Sequence, residues 1–400
     1  MRLYKAELYK LCYKKIFPVG LLCILGFVLL YFFQNLLAET STVDGITYHG
    51  YEAVRMDRQI TEEFKGPLTD EKMQQIIDRY GFPQKFEPYI GLTDSNFLNE
   101  FVMRYASDAY TDDWDDFRLP TKIVPLADTE MGRLITSLPD SFQLTYYAGW
   151  ETFTAMYHTE MILISVLLLC VVSPVFSHES QSRMKPLLFT TQEGQTSDIS
   201  AKIAAALTLS AVLWLLFTVL NLLLYGTVYG WDGLRCNAHF VTYGFPSYPG
   251  SFEILQQPLG TYLLIVMLFT LTAVLELCAI TLAISAGCHS SFHAVFAAAI
   301  CWIIPVFLLL IMKPALIRFL SSLGLSHSLL RVFAYIIFLS DCLLYAAPFY
   351  MIYEGILEEI SVMSRHSEIL PLYIVFACAC IIFALCIAST YHRYRKQECR

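Results

Sequence analysis

The chain has 400 residues, of which 56% are hydrophobic and only 16% charged, with a formal net charge of −8. An ordinary soluble domain carries about a quarter of charged residues, so this balance excludes one. An acidic chain of this kind also has no nucleic acid among its expected partners.

A lipid-spanning helix needs roughly 20 mostly apolar residues. Runs of that order, uncharged except for Glu253 in the fourth, stand at Ile16–Ala38, Met161–Ser177, Ile203–Trp231, Asn237–Gln257 continuing into Pro258–Leu275, Ala294–Met312 and Ile369–Tyr391. The expected fold is therefore an all-α polytopic membrane protein with six transmembrane helices. The expected domains are 1–38, 39–158 and 159–400.

In the first 15 residues, Tyr4, Leu8, Leu11 and Cys12 recur at i, i+4, i+7 and i+8 among lysines. That spacing fits an amphipathic helix lying along the membrane interface, and equally an ordinary basic flank. The first span reads as an anchor. A signal-peptidase cut after Ala38 would put Leu36 where a small residue belongs.

Residues 39–158 hold 21 acidic and 10 basic side chains, a net −11 that exceeds the charge of the whole chain. Thr69 reads as an N-cap, followed by Asp70 and Glu71 in the first turn. Met73, Ile76, Ile77 and Tyr80 then share one face, and Gly81-Phe82-Pro83 supplies the stop. These signals predict a small helical extracytoplasmic domain. The acidic run Asp112-Asp113-Trp114-Asp115-Asp116 lacks the glycine and bidentate glutamate of a calcium loop and reads as a solvated turn. The negative balance fits a cationic ligand or plain solubility, with solubility the default.

None of the twelve cysteines lies in 39–158, and most are inside the spans, where thiols pack as small apolar groups. Cys236 and Cys342 are a pair that sequence cannot assign.

Within the membrane domain, Glu276 is the notable ionisable residue. A charge near the bilayer centre costs on the order of 2.5–3.5 kcal/mol on the permissive scale. It reads as a buried structural glutamate or as the lining of a pathway. Asn221 is an expected interhelical hydrogen-bonder. His289 and His293 stand at i, i+4 without a third ligand and are expected to cap the turn between spans four and five. Ser328–Phe349 is apolar but interrupted by Arg331, Asp341 and Pro348. Read as a seventh span it would put the basic tail outside, so segment 313–368 is expected instead to hold outer re-entrant helices before the last span.

Basic residues flank Met1–Lys15, the 178–202 loop and the C-terminal tail, which puts both termini in the cytoplasm. The 25-residue loop 178–202 is too long for a simple turn and carries an apolar knob at Leu187-Leu188-Phe189. No G-x-x-x-x-G-K-[ST], H-E-x-x-H or G-x-S-x-G pattern is present, so no ATPase, zincin or hydrolase chemistry is expected. Glu358-Glu359 with Arg365 departs in spacing from an intramembrane protease motif.

An amphipathic N-terminal helix, a first span, an external insertion and a second span entering a long loop together resemble the type-2 family of ABC transporter permeases. The family's loop pattern is met by Glu179, Leu187-Leu188, Thr191 and Lys202; Arg183, Gln192 and Gln195 stand where its glycine, proline and arginine would fall. Tyr146-Tyr147-Ala148-Gly149-Trp150 and Gly230-Trp231-Asp232-Gly233 resemble motifs of its Gram-positive variant with a large external insertion. The resemblance implies a non-enzymatic permease subunit of the bacterial plasma membrane, an exporter working with an ABC ATPase subunit and a second permease subunit, same or sibling. ATP and magnesium would sit on the ATPase, leaving no cofactor or metal in this chain. It further implies ATPase coupling through Glu179, Arg183, Leu187, Leu188, Thr191, Gly194 and Lys202. The rival readings are a ligand-sensing or accessory membrane protein that uses the external domain, and an intramembrane enzyme built on Glu276 and the histidine pair.

Overall fold

A computed structural model of the protein describes residues 2–86, 91–108, 119–129, 142–182, 184, 196–242, 256–322, 327–353, 357, 360 and 369–396. It is 80% helical. In chain order the elements are α1 (Arg2–Tyr13), α2 (Ile16–Ala38), β1 (Thr40–Val43), β2 (Ile46–His49), α3 (Tyr51–Phe64), β3 (Gly66–Pro67), α4 (Asp70–Tyr80), β4 (Gln84–Phe86), β5 (Gly91–Thr93), α5 (Phe97–Tyr105) and β6 (Gln143–Leu144). There follow α6 (Ala148–Val172), α7 (Pro174–Gln181), α8 (Ser197–Tyr229), α9 (His239–Thr242), α10 (Leu259–Gly287), α11 (Ser291–Phe307), α12 (Lys313–Ser322), α13 (His327–Tyr345), α14 (Pro348–Ile352) and α15 (Ile369–Lys396).

Among the described residues six helices are long and apolar enough to cross a membrane: Ile16–Ala38, Ala148–Gln181, Ser197–Tyr229, Leu259–Gly287, Ser291–Phe319 and Leu370–Arg395. The protein is thus a multi-pass membrane protein. Two boundaries differ from the reading of uncharged runs. The second span begins at Ala148, not Met161, because Glu151, His158 and Glu160 ride within it, and His158 and Glu160 are buried there. The fourth is Leu259–Gly287, not 237–275. Residues 237–242 instead carry a bridge from Asn237 to Pro258 and the short α9. Pro258 precedes the first residue of α10, where its missing N–H is no loss to the helix.

The chain divides into two compact units. The first comprises Met1–Phe27, Tyr157–Val219 and Val266–Arg400. Here Ser173 and Pro174 break the second span between α6 and α7. Such a break frees backbone N–H groups that lipid cannot satisfy. The Ser285 hydroxyl of α10 accepts from the amides of Phe176 (3.1 Å) and Ser177 (3.2 Å) and donates to the Ser173 carbonyl. A hydrogen-bonded chain also runs through the interior: Tyr157 Oη lies 3.0 Å from the hydroxyls of both Thr218 and Thr270, and Trp214 Nε1 donates to Thr270 at 3.1 Å. His158 Nδ1 meets the Ile352 carbonyl of α14. In the fifth span Pro305 is followed by a π-helical turn at Leu308–Met312, the widening expected where a proline removes a helical donor. The 19-residue α13 is not among the six span-length apolar helices; its apolar part is Ile336–Tyr345.

The second unit comprises Val28–Met156 and Leu220–Ile265. Among its described residues, the part expected to be helical contains helices and, in addition, three two-stranded antiparallel pairs, β1–β2, β3–β6 and β4–β5. The first is closed by Asp44-Gly45, both at positive φ (52° and 75°), the conformation of a tight hairpin turn. As expected, Thr69 caps α4 by accepting from Lys72 N (3.2 Å), Met73 and Ile76 are buried, and Gly81 ends the helix at φ 70°. Asn96 caps α5 with a reciprocal bond from its own amide to Asn99. An aromatic core holds the unit: Tyr147 stacks on Phe240 at 5.6 Å, and Phe97, Phe101, Tyr105 and Phe142 meet these rings edge-on or tilted.

Candidate functional site: a buried ion cluster around Lys202

Lys202, on the second turn of α8, is 2% exposed. An ammonium taken from water is tolerated only when carboxylates replace its hydration. Three do so. Asp198, one turn earlier on the same helix, forms an i,i+4 pair with it and sits where the helix dipole favours an acid. Glu179 of α7 lies 3.0 Å away and Glu7 of α1 3.6 Å. Tyr394 of α15 donates to the second oxygen of Glu179 at 2.7 Å, and its ring packs on Phe176 at 4.8 Å. Nearby, Ser200 Oγ and Tyr391 Oη are 2.8 Å apart. One cation thus joins the N-terminal helix and both flanks of the 183–195 connection, and through Glu179 the final helix. The arrangement is structural and electrostatic.

Of the coupling residues expected from sequence, Glu179 and Lys202 are brought into direct contact. Arg183, Leu187, Leu188, Thr191 and Gly194 lie outside the described residues. On α1, Leu11 is buried and Tyr4 and Leu8 are half-buried, while Glu7 shares their face and is buried too. Glu7, Asp198 and Tyr394 are members that sequence reasoning misses. An acid on an apolar stripe is the available signal, but its counter-ion lies far along the chain.

Glu276 is 0% exposed in α10, and neither carboxylate oxygen has a hydrogen-bond partner among the described residues. Asn221 is likewise fully buried in α8. His289 and His293 are exposed at the start of α11; the N-cap position is Ser290, not a histidine. Among the described residues no group of three or more His, Cys, Asp or Glu could hold a metal ion. Cys236 and Cys342 are both buried free thiols. The acidic run 112–116 and Glu358, Glu359 and Arg365 lie outside the described residues.

The two motifs noted at 146–150 and 230–233 form one packing unit. Trp150 is fully buried and its Nε1 donates to the Gly230 carbonyl at 3.1 Å. A side chain on Gly233 would meet the Trp150 ring at 2.5 Å and the Tyr146 carbonyl at 2.7 Å, so the close approach requires glycine there.

No known protein family, curated protein or solved structure matches the chain.

Proposed function

We propose that the chain is the membrane-spanning permease subunit of an ATP-driven ABC transporter, an exporter of the bacterial plasma membrane with both termini in the cytoplasm. It works without a cofactor of its own, paired with a second permease subunit, same or sibling, above a separate ABC ATPase. The reading rests on the resemblance in layout and loop pattern, and the observation that carries it is the Lys202 cluster. A subunit driven from outside needs its cytoplasmic elements to move together. Here Glu7, Glu179 and Asp198 bind to one buried cation the N-terminal helix and the two ends of the connection expected to touch the ATPase. A push on Leu187 and Leu188 would then reach α1, α7 and α8 at once, and α15 through Tyr394. ATP-driven closure of the ATPase would rock the spans between inward- and outward-facing states. Segment 313–368 serves as the outer re-entrant region, with α13 and α14 in it.

The test is co-purification. Wild-type chain carrying an affinity tag should bring down a P-loop ATPase, and the double substitution Leu187→Asp, Leu188→Asp should abolish it while leaving the chain in the membrane. An unchanged complex would refute the docking role of that loop.

A further inference from the structure

Two contacts set the level of α1 against the membrane. Its end is joined to the first span by Lys14 and Lys15 alone, since α1 stops at Tyr13 and α2 begins at Ile16. That turn is hydrogen-bonded: the Phe17 amide donates to the Lys14 carbonyl at 2.9 Å and the Val19 amide to the Lys15 carbonyl at 3.3 Å. Midway along α1, Glu7 lies 3.6 Å from Lys202, in the second turn of the third span. A helix held at its middle and at its end to the starts of two membrane-crossing helices runs along the membrane boundary, not away from it.

The faces of α1 are reversed relative to a helix that dips an apolar stripe into lipid. Leu11 is buried and Tyr4 and Leu8 half-buried on the side of Glu7, turned to the protein. Arg2, Lys5, Tyr9 and Tyr13 follow one another at i, i+3, i+7 and i+11, and all four are exposed. The two tyrosines are 63% and 73% exposed, and their rings stack at 5.2 Å. Residues 2–15 hold five basic side chains and a single acid, Glu7. That acid is taken by Lys202 and by Lys10. Arg2, Lys5 and Lys15 are exposed and have no carboxylate partner among the described residues. The outward face is therefore cationic and aromatic, and it continues into the exposed Ile16 and Val19 of the first span. Tyrosine rings favour the membrane–water boundary, and each Lys or Arg near an anionic membrane surface strengthens binding about fivefold.

We propose that the outward face of α1, formed by Arg2, Lys5, Tyr9 and Tyr13 with Lys15 at its end, is a docking surface for anionic lipid headgroups, whose phosphodiesters pair with the three unpaired cations. The surface depends on the spans and not on the permease reading.

The probe is phosphatidylglycerol, added in rising fraction to the full chain in phosphatidylcholine nanodiscs, and the readout is the thermal midpoint. Wild type should gain stability saturably, and the gain should shrink as salt is raised. A chain carrying Arg2→Gln, Lys5→Gln and Lys15→Gln loses only exposed charge, and glutamine forms helix as well as lysine. Its midpoint in pure phosphatidylcholine should match wild type, while its apparent affinity for phosphatidylglycerol falls by up to about a hundredfold. A chain carrying Arg2→Lys, Lys5→Arg and Lys15→Arg keeps the charge and should respond as wild type does. So should a control carrying Arg55→Gln, Arg79→Gln and Lys122→Gln, which removes three exposed charges of the second unit. A loss equal in the control overturns the proposal. An undiminished response in the first variant also overturns it, and loss of a co-purifying ATPase in that variant would then assign the face to a protein.

Discussion

Lys202 Nζ lies 3.0 Å from a carboxylate oxygen of Glu179, joining the helix that ends before the 183–195 connection to the helix that begins after it. Removing one partner of a buried ion pair leaves uncompensated charge and costs about 3–5 kcal/mol. Lys202→Met would strand Glu7, Glu179 and Asp198 together. It is expected to lower the thermal midpoint sharply, and to do so more than Lys10→Met, whose ammonium is largely exposed beside Glu7. Thermal unfolding of the two variants in detergent checks the order.

Ser285 satisfies the amides that the break at Pro174 sets free. Ser285→Ala removes the acceptor and leaves buried N–H groups unbonded, at a cost of about 1–3 kcal/mol. Ser177→Ala is the matched control, because that hydroxyl only back-bonds to the Ser173 carbonyl at 3.0 Å within the chain's own turn. Chemical denaturation should show the larger loss for Ser285→Ala.

Gly233 and Trp150 leave no room for a methyl group between them. Gly233→Ala is expected to destabilise the second unit by about 1–3 kcal/mol through overpacking. Combining it with Trp150→Phe should give less than the sum of the two effects, since the smaller ring relieves the clash. A double-mutant cycle on thermal midpoints measures the coupling.

Asp57, in α3, is buried and accepts from Ser41 Oγ at 2.6 Å and Phe97 N at 3.2 Å, both on Oδ1. Burial pushes its carboxyl up to about 7. An unfolded aspartate titrates near 3.9. The folded state therefore holds this proton more tightly than the unfolded one. The resulting stability is fully present below about pH 4 and is lost as pH rises through about 7. The upper bound is about 4 kcal/mol. Burial raises Glu39 and Glu100 in the same direction. Asp57→Asn keeps an oxygen for both donors and should flatten the fall in stability between about pH 4 and 7, measured as the slope of the thermal midpoint.

The spans are legible in the sequence because lipid leaves a helix few alternatives: a long apolar run must satisfy its own backbone. Where sequence and structure part, a local rule meets a tertiary exception. The second span starts before its uncharged run because His158 and Glu160 are enclosed by protein, which no search for uncharged residues can know. The fourth lies further along than expected because 237–257 carries Glu253 and several amides together with Gly244, Pro246, Pro249 and Gly250, and so lacks a span-length apolar stretch. The hairpin at Asp44-Gly45 has a local signal, an Asp-Gly pair flanked by β-formers, which the acidic and helical character of its surroundings obscures. The Lys202 cluster is half visible. Glu179 and Lys202 stand out through their loop, whereas Glu7 and Tyr394 join them from opposite ends of the chain, a separation no spacing rule reads.

The central claim is that this subunit is moved by an engine it does not contain. The direct measurement is nucleotide turnover by the purified chain in detergent, alone and together with the ATPase that co-purifies with it. The account predicts no MgATP hydrolysis by the chain alone and robust hydrolysis by the complex, lost when the ATPase's P-loop lysine is replaced. Sustained turnover by the isolated chain would contradict it.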